Sequence, residues 1–279
     1  MPRPATAVTP PRIYCIPATD APIVAVFRRG PSAWSHVGRW DIAEGQYEPG
    51  GWLKGRIFPR RSDLSPDGRY LCYFAHKPTA TWEHGDAYVA LSRLPWLSAL
   101  HAFAEIGTWT RGYAFNVDGS VSHPDDEGLP MRWGLEPLPT VQFALERRRG
   151  WEEAADSPPR RPDDFWDQHR NARIRKPEPG GERVLCVESH GWAGGEFGKG
   201  QAVDGLRVSY SMEREGDVRL LADIQWADWS LDGRLLVATR DGRIQIRGPA
   251  SGREEVAFDE DLTALTPNPQ PAPAWACRW

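Results

Sequence analysis

Apolar and polar residues alternate over short runs along most of the chain, and turn-forming residues interrupt them every 8–15 positions. That pattern predicts half-buried β-strands rather than amphipathic helices. Early strands are predicted at Arg12–Cys15, Ile23–Phe27, within Ser32–Asp41 and at Trp52–Phe58. Arg69–Phe74, Ala87–Leu91, Trp109–Phe115, Val141–Glu146 and Arg183–Glu188 continue the series. Leu206–Met212 and Val218–Ile224 form a hairpin about Glu215-Gly216, and Leu235–Thr239 and Arg243–Ile246 form another about Asp241-Gly242. Trp96–Phe103 carries Leu97, Leu100 and Phe103 at helical spacing, but its all-β surroundings favour a strand.

The organising stretch is Ser62–Phe74, SDLSPDGRYLCYF, in which Ser65-Pro66-Asp67-Gly68 is a turn followed by a strand. Proline presets φ, aspartate bonds its own backbone and glycine tolerates positive φ. Related units stand at Asn116-Val117-Asp118-Gly119 and Ser230-Leu231-Asp232-Gly233. The Asp positions 67, 118 and 232 lie 51 and 114 apart, and the second gap is twice a blade-sized period. The expectation is a single all-β domain over residues 12–279, a β-propeller with five blades favoured. Strands from both termini, Ala274–Trp279 among them, would close it. Residues 1–11 are expected to be a disordered tail, and the Pro- and charge-rich segment 147–182 an insertion with a short helix near Asp163–Arg173.

Composition changes this picture little. The 279 residues include 27 Gly and 26 Pro, as a turn-rich chain requires, and 14 Trp, expected to wedge between blades or lie on a binding face. Net charge is −4, which disfavours a broad nucleic-acid footprint. No apolar run approaches the roughly 20 residues of a membrane span, and the N-terminal sequence lacks an apolar secretion core, so a cytoplasmic location is expected. Cys15, Cys72, Cys186 and Cys277 have no metal or redox spacing.

Arg28-Arg29-Gly30-Pro31-Ser32, Trp34, Trp40-Asp41, Gly51–Arg56 and Arg60–Gly68 together resemble a family of bacterial proteins with no assigned activity. That resemblance covers about a third of the chain and implies no substrate. The Ser-Pro-Asp-Gly turns separately resemble those of WD-repeat and periplasmic translocation-associated propellers, which implies protein binding. The Gly-His and Trp-Asp pair of WD repeats is missing here.

Candidate chemistry is sparse. The seven histidines show no ligand spacing; His123 with Asp125 and Asp126 is the densest group and reads as a solvated turn, so no metal and no cofactor are expected. The glycine cluster Gly191–Gly200 departs from a phosphate loop, because Gly200 follows Lys199 where Ser or Thr belongs. Ser189-His190 point to opposite faces of a strand, and there is no nucleophile elbow. The favoured function is therefore a non-enzymatic recognition module binding a protein partner, with a small anionic or sugar ligand as a lesser option. Its face would comprise Arg28, Arg29, Trp34, Trp52, Lys54, Arg56, Arg60 and Arg61, residue types enriched at binding hot spots. The alternative is a carbohydrate-active hydrolase, with Asp41, Asp63, Glu188 and Asp228 as the carboxylates.

Overall fold

The computed structural model describes residues 9–30, 32–77, 86–108, 110–116, 134–139, 141–157, 171–192, 205–248 and 255–279. Its strands pair antiparallel throughout, in five sheets. The first contains β1 (Arg12–Pro17), β2 (Ile23–Arg29), β3 (Trp34–Asp41) and β4 (Gln46–Lys54), in chain order. The second orders β5 (Arg56–Ile57), β7 (Tyr70–His76), β8 (Ala87–Arg93) and β9 (Ala99–Ala104), with β6 (Asp63–Leu64) also on β7. The third is the pair β10 (Tyr113–Phe115) and β11 (Leu135–Pro137). The fourth runs β12 (Glu152–Glu153), β13 (Arg173–Pro177), β14 (Val184–Trp192), β15 (Leu206–Arg214) and β16 (Asp217–Leu220). The fifth runs β17 (Ile224–Trp229), β18 (Leu235–Thr239), β19 (Arg243–Gly248) and β20 (Glu255–Asp261). A single short helix among the described residues, α1 (Ala144–Arg148), precedes the fourth sheet.

Among the described residues every sheet is open, and no hydrogen-bonded ladder closes one on itself. The expected five-bladed propeller is therefore corrected to an all-β chain of five open antiparallel sheets. The blade repeat falls with it: an Asp-Gly turn reports local backbone chemistry, and sheets of two to five strands share no common unit. Nor does a C-terminal strand join β1, whose ladder partner is β2. Residues Ala274–Cys277 instead form a 3-10 turn near β8, because the preceding Pro-rich run denies a ladder its N–H donors.

The turns themselves form for the reasons read from the sequence. Gly68 and Gly233 have φ of +74° and +80°. In each, the serine hydroxyl donates to the turn aspartate and accepts the amide that opens the next strand: Ser65 Oγ to Asp67 Oδ1 and Tyr70 N to Ser65 Oγ, Ser230 Oγ to Asp232 Oδ1 and Arg234 N to Ser230 Oγ. A Cβ on Gly68 would stand 2.6 Å from Ile23 Cβ, so the turn also presses on β2. The Asp118 turn, the His123 group, the 163–170 part of the expected helix, most of the glycine cluster and residues 1–8 lie outside the described residues.

Sheet faces pack on one another in three apolar clusters. The largest joins β1–β3 to β7 and β8 on one side and to Trp226, Leu236, Ala238, Ile244 and Ile246 of the fifth sheet on the other. A second joins the fourth and fifth sheets through Ile174, Leu185, Val187, Ala227 and Val237, and a third joins the second and third through Phe74, Val89, Phe115 and Leu135. Trp40, fully buried, stacks on Phe258 at 5.4 Å and ties β3 to β20. Burying such a ring contributes about 2–3 kcal/mol. Val141–Glu146, expected as a strand, turns at Phe143 (φ +58°) and enters α1 instead. Its apolar residues Phe143, Ala144 and Leu145 are buried as a helix start, between two clusters. Pro95, expected to interrupt the run before Trp96, follows a cis bond, and β9 begins at Ala99 as a strand.

Candidate functional site

The Arg/Trp residues expected on a binding face are turned mostly inward. Arg28 is 2 % exposed and donates from Nε to the Leu262 carbonyl at 2.8 Å, with its guanidinium 5.7 Å from the Trp52 ring centre. Trp52 stacks on His36 at 4.4 Å. Arg56 lies over Phe58, and Arg61 over Phe58 and Phe74 while donating to the Thr108 carbonyl. Arg60 lies over Tyr14 and Phe143 and pairs with Glu146. Trp34 and Arg29 are half-buried at opposite ends of the β2–β3 connection, and Lys54 is exposed. Arg28, Trp52, Arg56, Arg60 and Arg61 thus serve several separate internal contacts, so the expected Arg/Trp propeller face for a protein partner is corrected. Arginine planes over aromatic rings are satisfied by packing, a use that composition cannot distinguish from recognition.

Charged groups do converge elsewhere. One crevice, with about 290 Å³ of empty space counting its open mouth, is lined by Tyr14, Ile16, Glu146, Arg149, Trp151, Tyr210, Trp226 and Asp228, among others. It lies where β1, β17, β15 and α1 approach. Alternation along β1 sends Tyr14 and Ile16 the same way, and Tyr14 meets Trp226 edge-on at 6.3 Å. The segment Leu145–Trp151, α1 with the turn at Gly150 (φ +82°), brings Glu146, Arg149 and Trp151 to the same rim.

Glu146 is 8 % exposed. Its Oε1 accepts from the Tyr14 hydroxyl at 2.9 Å and from Arg60 Nη1, while its Oε2 is buried with no hydrogen-bond partner. Asp228 is 5 % exposed. Its Oδ1 accepts from Lys176 Nζ and from the Trp229 amide, each at 2.7 Å, while Oδ2 has only a long contact, 3.5 Å, from the Trp151 indole. Asp63 stands behind this pair: Arg149 Nη2 donates to its Oδ1, and its Oδ2 accepts the Phe115 amide at 2.8 Å. Burial, first, and the neighbouring Glu146 push the Tyr14 phenol well above its ordinary range, so it stays a donor. Burial likewise raises Tyr210.

Of the four carboxylates read from the sequence, Asp228 reaches the crevice and Asp63 backs it through Arg149. Asp41 instead pairs with Arg39 and caps the turn after β3, and Glu188 is exposed on β14. Glu146 was missed. Its site depends on a contact with a tyrosine 132 positions away, and its run reads locally as a strand. Asp63 and Asp228 each stand four residues before a turn Asp, and that shared offset was the one signal in the sequence. It places both in equivalent bends, where each bonds the next amide through Oδ1. Among the described residues no group of three or more His, Cys, Asp or Glu could hold a metal ion, and no helix is long and apolar enough to cross a membrane.

No family model and no curated protein matches the chain. Among solved structures it is similar to an acylaminoacyl peptidase from Pyrococcus horikoshii, at 11% identity and a TM-score of 0.30, over 93% of this chain but only 40% of that one. It is also similar to a "putative 6-phosphogluconolactonase" from Bacteroides fragilis, at 14% identity and a TM-score of 0.29, over 93% of this chain and 97% of that one. Likenesses this distant carry no argument about activity.

Proposed function

We propose that the protein is a hydrolase of carbohydrate-like substrates whose reacting groups are Glu146 and Asp228. One observation carries this reading: two buried carboxylates line the same crevice, each with one oxygen fixed by a cation and the other with no hydrogen-bond partner or only a long one. Glycoside hydrolysis passes through an oxocarbenium-like transition state, which one carboxylate can stabilise while a second activates the attacking water. Glu146 Oε2, its sister oxygen committed to Tyr14 and Arg60, takes the water proton. Asp228, ion-paired with Lys176, sets its negative charge against the positive charge that develops on the sugar ring, and the leaving oxygen takes its proton from water at the mouth. The crevice is narrow, with room for about a water between these groups. The sugar ring therefore sits at the mouth, and the buried Trp151 and Trp226 wall the narrow space beneath it.

The same ion pairs also tie elements together, since Lys176–Asp228 joins β13 to β17 and Arg60–Glu146 holds α1. A purely structural role makes a different forecast, so the test separates them. Purified protein is assayed on a panel of aryl glycosides alongside Glu146→Gln and Asp228→Asn, each with a thermal melt. The expected result is turnover by the wild type that falls by at least about 10²-fold in each variant, while both retain a cooperative melt. Absence of turnover across the panel, or equal turnover in both variants, rejects the reading.

A further inference from the structure

The last strand of the fourth sheet presents an exposed edge. Among the described residues β16 pairs with β15 alone, and Val218 and Leu220 are 62 % and 64 % exposed. Arg214 and Asp217 are directly opposed across the two-residue loop Glu215-Gly216, whose φ values of +52° and +91° are those a type I′ turn requires. In such a hairpin the pair that closes the loop exchanges its backbone bonds, and bonded and non-bonded pairs then alternate along the ladder. The Leu221 N–H, donating to the Tyr210 carbonyl at 2.9 Å, keeps the same parity. Residues 217, 219 and 221 therefore turn their backbone groups toward β15, and Val218 and Leu220 turn theirs outward.

Exposed edges invite pairing with another strand, and folds blunt them with proline, charge or cover. The first and fifth sheets do so: β4 carries Pro49, and β20 carries Glu255, Asp259, Glu260 and Asp261. β16 has no proline, and its two outward-facing backbone positions carry valine and leucine. Its two charges, Asp217 and Arg219, are of opposite sign and flank Val218. That spacing makes the strand complementary to itself. Antiparallel pairing about a two-fold axis at Val218 sets Asp217 of each copy opposite Arg219 of the other. Centring the axis on Asp217 or on Arg219 instead opposes like charges, which is unfavourable. With the axis at Val218, Leu220 faces Gly216 of the second copy, where a Cβ would meet nothing within 4 Å.

We infer that β16 is a homodimerisation edge: two copies of this chain join their fourth sheets, β16 to β16, into one continuous antiparallel sheet. The two Val218 residues meet on the axis and exchange backbone bonds, since both turn those groups outward. Two Asp217–Arg219 pairs flank them. The contact is short beside a standard protein interface, so the dimer is weak and reversible. Its two-fold symmetry closes it, so it does not propagate into filaments. The edge is independent of the carboxylate crevice and pairs whether or not that crevice hydrolyses sugars.

The test is sedimentation velocity on the full chain over a series from about 1 μM to about 1 mM. The wild type is expected to pass reversibly from monomer to dimer within that range. Asp217→Arg and Arg219→Asp each oppose like charges and should each weaken the dimer about tenfold or more, while the double exchange should return it to within about threefold of the wild type. Leu220→Lys, which places a charge on the bare edge, should weaken it as well. A thermal melt accompanies every variant, and Leu220→Lys, at an exposed position, decides the outcome if an exchange variant loses its cooperative melt. The proposal is overturned by a wild type that stays monomeric throughout, by a dimer that Leu220→Lys or the folded single exchanges leave intact, or by a folded double exchange that restores nothing.

Discussion

His36 shows how much a single position in this fold is asked to do. It is fully buried on β3, its Nδ1–H donates to the Gly51 carbonyl at 3.1 Å, and its Nε2 accepts from the Tyr47 hydroxyl at 3.1 Å. Burial, against a smaller opposing effect of the Gly51 bond, lowers its pKa to about 4. The unfolded chain, with an ordinary value near 6.5, therefore binds the proton more readily than the folded one. Stability contributed by neutral His36 is full above about pH 6.5 and is lost as pH falls toward 4. The loss amounts to about 3 kcal/mol at most. Denaturant melts from pH 7 to 4 should show this slope in the wild type and a flatter one in His36→Gln. Parallel slopes would mean that other groups dominate. Nothing in the sequence around Trp34-Ser35-His36 marks this histidine as buried; alternation along the strand places it on the core side only once the register with Trp52 is known.

At the scale of elements, strands and turns were legible because period-two alternation and Asp-Gly chemistry are local. The hairpin through Asp241-Gly242 forms as read, with Gly242 at φ +96° and Leu235–Thr239 paired with Arg243–Gly248. Val141–Glu146 misled, because a five-residue helix contributes too few turns for a period to show. The links between elements were less legible still. Asp63 holds β6 to β10 through the Phe115 amide and anchors Arg149, which also donates to the Pro17 and Leu64 carbonyls. Asp63→Ala strands a buried guanidinium and a buried amide, and should cost about 3–5 kcal/mol. Glu136→Ala, which breaks the more exposed pair with Arg148, should cost about 1 kcal/mol or less. Urea denaturation of the two variants checks this contrast, and similar losses would deny Asp63 its linking role.

For the whole molecule, the all-β class was legible and the assembly of sheets was not. Regular turn spacing suggested one repeated blade, yet ladders run only within five unequal open sheets, and contact between sheets is made by side chains. Side-chain contacts between distant strands leave no periodic trace, which is why Asp228 was visible as a candidate while Glu146 was not. The density of arginine and tryptophan in the first 61 residues likewise pointed to an outward face, whereas Arg28, Arg56, Arg60 and Arg61 lie over aromatic rings. What the assembly does create is a crevice where α1 meets β1 and β17, lined by two buried carboxylates of which Glu146 Oε2 has no hydrogen-bond partner and Asp228 Oδ2 only a long one. The most direct measurement is calorimetric binding of polyhydroxylated piperidinium ions, cationic mimics of the sugar at the transition state, to wild type, Glu146→Gln and Asp228→Asn. The expected result is binding by the wild type that weakens at least about tenfold in each variant, since each removes one carboxylate facing the cation. Absence of binding, or equal binding by all three proteins, would contradict a carbohydrate-hydrolysing site in this crevice.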